Sequence, residues 1–168
     1  MGADVSEIEP EENMLFMRDE EVIQGFELLF HAHRNISAER DELLVDYGIG
    51  RAHHRAIHFV WRHPGISITE LLDILGIAKQ SLARVLNHLI EKGYIVQEKG
   101  TRDRRQRMLH VTYAGAKLAQ VLAEPHKDRI ARAYLAAGAE AVEGYRKVLI
   151  ALIRESSSEA VIRSCQLS

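Results

Sequence analysis

The stretch PGISITELLDILGIAKQSLARVLNHLIEKGYIVQEKGTRDRRQRMLHVTYAG, residues 64–115, decides the fold. Ser67 and Glu70 stand three apart ahead of an apolar run. That is the capping box, in which two side chains satisfy each other's orphan backbone N–H groups at a helix start. Leu71, Leu72, Ile74 and Leu75 then make the buried side of a short helix that ends at Gly76. A second helix runs from Lys79, with Leu82, Val85, Leu86 and Leu89 as its inward stripe. Gly93 ends it, where a left-handed residue is favoured. Beyond Gly93 the period changes from helical to alternating. YIVQEK (94–99) and RMLHVT (107–112) read as short strands joined by GTRDRRQ (100–106). Helix, turn, helix and an arginine-tipped hairpin together predict a winged helix-turn-helix. The expected fold class is mainly α with a small β-hairpin wing, set within a further helical region.

The flanks extend this plan. Residues 1–14 have little apolar periodicity and five acids, Asp4, Glu7, Glu9, Glu11 and Glu12, so a flexible acidic arm is expected. From Asp19 to Asp46 the apolar residues recur at helical spacing, until Gly48 and Gly50 break the pattern. RAHHRAIHFVWRH (51–63) predicts a second helix, stopped by His63-Pro64-Gly65. Thr112 suits the cap of a later helix that Pro125 is expected to kink or interrupt, because proline lacks an N–H and clashes with the preceding turn. A turn at 136–139 leads to a last amphipathic helix, and the weakly patterned residues 157–168 read as a loose tail. The division expected is an arm at 1–14, a helical region at 15–50 and 113–156, and a DNA-binding winged helix-turn-helix at 51–112.

The chain has 168 residues, net charge −2 and 46% hydrophobic residues, so a sizeable core is available and global disorder is excluded. Cys165 is the single cysteine, which excludes an intrachain disulfide and fits a reducing compartment. No apolar run approaches the roughly 20 residues that span a bilayer. A cytoplasmic protein without a membrane partner is expected. Charge is unevenly spread. Between Lys79 and Arg107, eight Lys and Arg residues face three acids, a local basic stripe that marks a polyanion partner. Arginines at a hairpin tip suit a narrow minor groove, whose concentrated negative potential attracts weakly hydrated guanidinium groups. Asp103 would hold Arg102 or Arg105 by a bidentate ion pair, ordering the wing before it meets DNA.

This order of features resembles the DNA-binding core of MarR-type regulators. The resemblance rests on the Pro-Gly and capping-box entry, the Leu-Gly turn, Ser81-x-x-Arg84, the Gly93-Tyr94 exit, Asp103-Arg104-Arg105 and the close over Val111 to Gly115. GRAHHRAIHFVWRHPG, KQSLARVLNHLI and AYLAAGAEAVEGYRKVL are similar to a PetP-like branch of that family. The resemblance implies a homodimer built on the first helix and the last two. It also implies an effector pocket among the first, second and fifth helices, and repression released by a small molecule. One departure is Ala78, which stands where a capping Asp, Ser or Asn is common. About 1 kcal/mol of local helix stability is lost unless a DNA phosphate fills the role.

The residues assigned to double-stranded DNA are Lys79, Gln80, Ser81, Arg84 and Asn87 on the helix and Arg102, Arg104 and Arg105 on the wing. Lys79 and Ser81 suit phosphate, Gln80 and Arg84 suit base edges, and Arg104 suits the minor groove. His54, His58 and Trp61 are the candidates for the effector pocket. No cofactor is expected. Zinc or haem on His54 and His58, one helical turn apart, is the alternative, with His31, His33 and His53 as further ligands. The motifs of hydrolases, nucleotide enzymes and dinucleotide binders are missing, so an enzyme is not expected. A winged helix that binds protein instead of DNA would tend to lose the arginines and polar helix face that this sequence keeps.

Overall fold

The computed structural model describes residues 18–100, 105–156 and 158–165. Along them run α1 (Asp19–Asp46), α2 (Arg51–Arg62), β1 (Ile66–Ser67), α3 (Ile68–Leu75), α4 (Lys79–Glu91), β2 (Ile95–Lys99), β3 (Arg107–Val111), α5 (Tyr113–Ala137), α6 (Ala139–Ser156) and α7 (Glu159–Cys165). The chain divides within α1 into two units, residues 1–38 and 39–168. The described part of the first unit is α1 up to Ala38. The second unit holds the winged helix and the helices after it. The arm expected over residues 1–14 lies outside the described residues. No described helix is long and apolar enough to cross a membrane.

The second unit is built around one core. Ile57 and Val60 from α2, Leu71 from α3, Leu82 and Leu89 from α4, Ile95 from β2, Leu109 from β3 and Leu122 from α5 are all fully buried. Each lies on the apolar stripe of its own element, so burying the stripes together sets how the elements pack. The hairpin pairs antiparallel from Ile95↔Val111 to Lys99↔Arg107, and the Gly100 N–H donates to the Gln106 carbonyl at 3.0 Å. A third strand not anticipated from the sequence, β1, adds to the other edge of β3 through Ile66↔Leu109 and Ser67↔Met108. Two residues are too few to show an alternating pattern.

The caps form where the residue types require them. The Glu70 N–H donates to Ser67 Oγ at 3.2 Å, and the Ser67 N–H returns a bond to Glu70 Oε2 at 3.0 Å. The Ser67 backbone N–H, and after it the hydroxyl, hold the Glu70 carboxyl below its usual range. Gly76, at φ 58°, takes the left-handed turn out of α3. At the far end of the hairpin, Thr112 ties several elements together. Its Oγ1 donates to the Gly93 carbonyl at 2.6 Å and accepts from the Gly115 N–H at 3.0 Å, capping α5. Its own N–H donates to the Tyr94 carbonyl at 3.0 Å. Gly115 sits so close to that strand that a Cβ there would lie 2.0 Å from the Tyr94 carbonyl oxygen.

Two expectations are corrected. Pro125 neither ends nor interrupts α5, which continues to Ala137. The proline removes one backbone hydrogen bond, but Leu118, Ala119 and Leu122 anchor the preceding turns in the core, and α6 packs on α5. Tertiary packing thus outweighs a local cost of roughly 3 kcal/mol. The tail is also not loose over its whole length. Residues 159–165 form α7, Ala160 is buried, and the helix packs against α3. Ser158 caps it through the Val161 N–H at 3.5 Å, and Arg163 pairs with Glu159 at 3.2 Å.

Replacing Gly115 by alanine drives a methyl group into backbone rather than into a flexible side chain. We expect Gly115→Ala to lower the unfolding free energy by at least about 2 kcal/mol in urea titrations. Wild-type stability in that variant would contradict the close approach of α5 to Tyr94.

Candidate nucleic-acid interface

The stripe of α4 that buries Leu82, Val85, Leu86 and Leu89 leaves Lys79, Gln80, Arg84 and Asn87 exposed, with Ser81 half-buried. Positions 80, 84 and 87 follow the i, i+4, i+7 spacing of one helical face. Four of the five residues expected on this helix therefore present their side chains to solvent while the helix is held by its opposite face. The N-terminus of α4 has no side-chain cap, as Ala78 requires. The Ala78 carbonyl accepts from the N–H groups of Ser81 and Leu82 at 2.9 and 3.0 Å, so the helix starts tightly all the same. Lys79 stands at this end, where the helix dipole and open N–H groups favour an anion.

At the open end of the hairpin, Lys99 and Arg107 are both exposed and paired across it. Arg105 is exposed in the turn before β3. Arg102, Asp103 and Arg104 lie outside the described residues. His110 on β3 stands 3.9 Å from Glu98 on β2, a loose contact between exposed groups that adds little.

Histidines gather on α2. His54 is buried, and its ring lies 6.2 Å from that of His58 and 6.0 Å from that of His126 on α5. His58 also approaches Trp61, at 6.3 Å between centroids. The three residues expected in an effector pocket are thus neighbours, joined by His126, which the sequence reading missed. Among the described residues no group of three or more His, Cys, Asp or Glu side chains is arranged to hold a metal. Burial, then Arg62, His126 and His63, push the His58 imidazole below its usual range. A second histidine contact links α2 to α4: the rings of His53 and His88 meet edge to face at 4.7 Å. His53 Nδ1 accepts the Gly50 N–H at 3.1 Å and so caps α2. Burial, and then the nearby His88, lower its pKa.

Comparison with known proteins agrees with this geometry. A model of the MarR family matches residues 47–106, from the end of α1 to the wing. The HTH-type transcriptional regulator PetP of Rhodobacter capsulatus is 46% identical over 142 residues, covering 84% of this chain and 86% of that protein. The chain belongs to the MarR family. It is also 30% identical over 114 residues to a putative transcriptional regulatory protein for the hcr operon of Thauera aromatica, covering 63% of this chain and 69% of that one. Streptococcus pneumoniae FabT, solved in complex with DNA, has the same fold at a TM-score of 0.68 and 22% identity, over 81% of this chain and 96% of that one. MarR proteins are transcription regulators, and this chain is not an enzyme.

The MarR signature and the helix face were legible in the sequence, but the His53–His88 contact was not. Thirty-five positions separate the two residues (88 − 53 = 35), and only the packing of α2 on α4 joins them. The single hint was His53 at the third position of α2, where a side chain can reach back to the cap.

His53 and His58 both have lowered pKa values in the folded chain, so the unfolded chain takes up protons first as pH falls. Thermal stability is expected to hold above about pH 6.5, the usual histidine value, and to fall below it until the lowered values are passed. His53→Asn keeps an acceptor for Gly50 without titrating, so it is expected to shallow the decline between pH 7 and pH 5. Calorimetric melting curves across that range test this; a slope identical to wild type would remove His53 from the account.

Proposed function

We propose that the chain acts as a homodimer that binds a pseudo-palindromic operator and represses transcription until a small molecule releases it. The observation that carries this reading is the two-sided α4. Its apolar stripe locks it into the core, and its free face offers lysine, glutamine, arginine and asparagine at helical spacing beside a basic wing. Such a face suits the major groove, where Gln80 can pair with adenine and Arg84 with guanine, while Lys79 and Ser81 hold phosphate. Arg102, Arg104 and Arg105 would follow the backbone into the adjacent minor groove, with Asp103 orienting them. Asn87 completes the helix face.

The homodimer reading is supported by apolar side chains left in solvent on the helices that the family resemblance assigns to assembly. On α1 these include Ile23 and Phe26, the latter 71% exposed; on α5 and α6 they include Leu135, at 85%, and Val148. Exposed residues of this size and number call for a partner, and a second copy presents the same faces. Two α4 helices held by one base would engage half-sites about one helical turn apart. A small molecule held near His54, His58 and Trp61 would change their spacing and cost both contacts at once.

The reading is tested by titrating duplexes that tile the DNA upstream of the chain's own gene, at two salt concentrations and with competitor DNA. One tile should bind through the competitor with an affinity that falls steeply with salt. Arg84→Ala should relax preference at one base pair per half-site by roughly 1–3 kcal/mol. A uniform loss on every sequence would make Arg84 a phosphate contact. Phe26→Glu is expected to shift sedimentation from dimer to monomer and to weaken operator binding more than tenfold. A wild-type chain that sediments as a monomer and binds tightly would refute the dimer.

A further inference from the structure

A cavity of about 240 Å³ opens between α3, α7 and the stretch from His63, just after α2, to Ile66, with no residue of α4 in its lining. Ile66, Ile74 and Ala160 line its apolar part, and Glu70, Arg163 and Ser164 its polar part. Its volume is below the usual size of a drug-like site. It therefore suits a small metabolite. The polar groups carry opposite charges and have capacity left. Both hydrogen bonds from Ser67 go to Oε2 of Glu70, at 3.0 and 2.8 Å, which leaves Oε1 as an acceptor. Arg163 uses one nitrogen on Glu159 at 3.2 Å, out of the five N–H donors of a guanidinium. The Ser164 hydroxyl donates to the Val161 carbonyl at 2.7 Å, so its lone pairs can still accept. Arg163 and His63 are near enough to Glu70 to add to the lowering of its pKa.

A lone anion would sit beside the Glu70 carboxylate, and a lone cation beside the Arg163 guanidinium. A zwitterion with an aliphatic body satisfies both ends and the floor. We propose that this cavity binds a small aliphatic α-amino acid, with its carboxylate on Arg163, its ammonium on Glu70 and Ser164, and its side chain against Ile66, Ile74 and Ala160. The ligand would bridge the first helix of the helix-turn-helix to α7, which also packs on α6. It is then an effector site of the regulator proposed above, distinct from the one at His54, and in that respect rests on that reading.

Calorimetric titration of the full chain with L-leucine tests the site without DNA. L-leucine should bind, and isovalerate and isoamylamine, which each lack one charge, should bind at least tenfold more weakly. Arg163→Gln and Glu70→Gln should each weaken L-leucine at least tenfold. The second keeps an amide that can cap α3, and both should retain wild-type helix content. Failure of L-leucine to bind, equal binding of isovalerate, or an unchanged affinity in Arg163→Gln would overturn the proposal. Operator titrations run on the same preparation report separately on the regulator reading: DNA binding with no leucine binding sinks this site alone, and leucine binding with no DNA binding sinks the regulator.

Discussion

The hydrogen bonds of Thr112 hold the architecture together. Four elements end or begin at or beside Thr112 and the residues it bonds: α4 ends just before Gly93, β2 starts just after Tyr94, β3 ends at Val111 and α5 starts at Tyr113. One hydroxyl bonds both the residue that closes α4 and the first turn of the long helix that follows the wing. Gly115 then lets α5 lie directly on the Tyr94 backbone. The end of α4 is consequently joined to the start of α5 by backbone contacts.

The same economy explains why a nearly neutral chain can present a basic surface. Uncompensated charge is costly only when buried, and the α4 face and hairpin are exposed. Their fold is secured by Leu82, Leu89, Ile95 and Leu109 beneath, so the residues above can be polar and charged without cost to the core. The missing cap at Ala78 belongs to this division of labour. A side chain there would satisfy the first N–H groups of α4 in the free protein and compete with phosphate for them. Without it, the first N–H groups of α4 have no side-chain acceptor beside Lys79, at the end of a helix where an anion is favoured.

Local chemistry made much of this readable from sequence. The Ser67–Glu70 box, Gly76, Gly93 and the Thr112 cap each involve residues within four positions of their partners, and each forms as expected. Features that depend on distant packing were less legible. β1 exists only because β3 offers a free edge to Ile66 and Ser67. Pro125 is tolerated because the stripe before it is buried against α2. Ser158 and the Glu159–Arg163 spacing do mark the start of α7, but its hold comes from Ala160 meeting α3, which no sequence period records. At the candidate site, the α4 face followed directly from its 3.6-residue period, whereas His126 and His88 joined the α2 histidines only through folding.

Two connections lead into the winged helix-turn-helix, one from α1 and one from α5. The route through α5 runs over the Thr112 hydrogen bonds and the close approach of Gly115 to Tyr94. The route through α1 passes the turn at Tyr47–Gly50, with Gly48 at φ 61°, and is braced by Arg51, whose guanidinium grips both Asp41 oxygens, Nε alone at 3.1 and 3.0 Å. That ion pair is exposed and weak compared with buried packing. α2 begins just after the turn and touches α4 through His53 and His88 as well as through the core. The two routes thus differ in chemistry: backbone hydrogen bonds join α5 to the end of α4 at Thr112, whereas an exposed ion pair and an imidazole contact flank the start of α2.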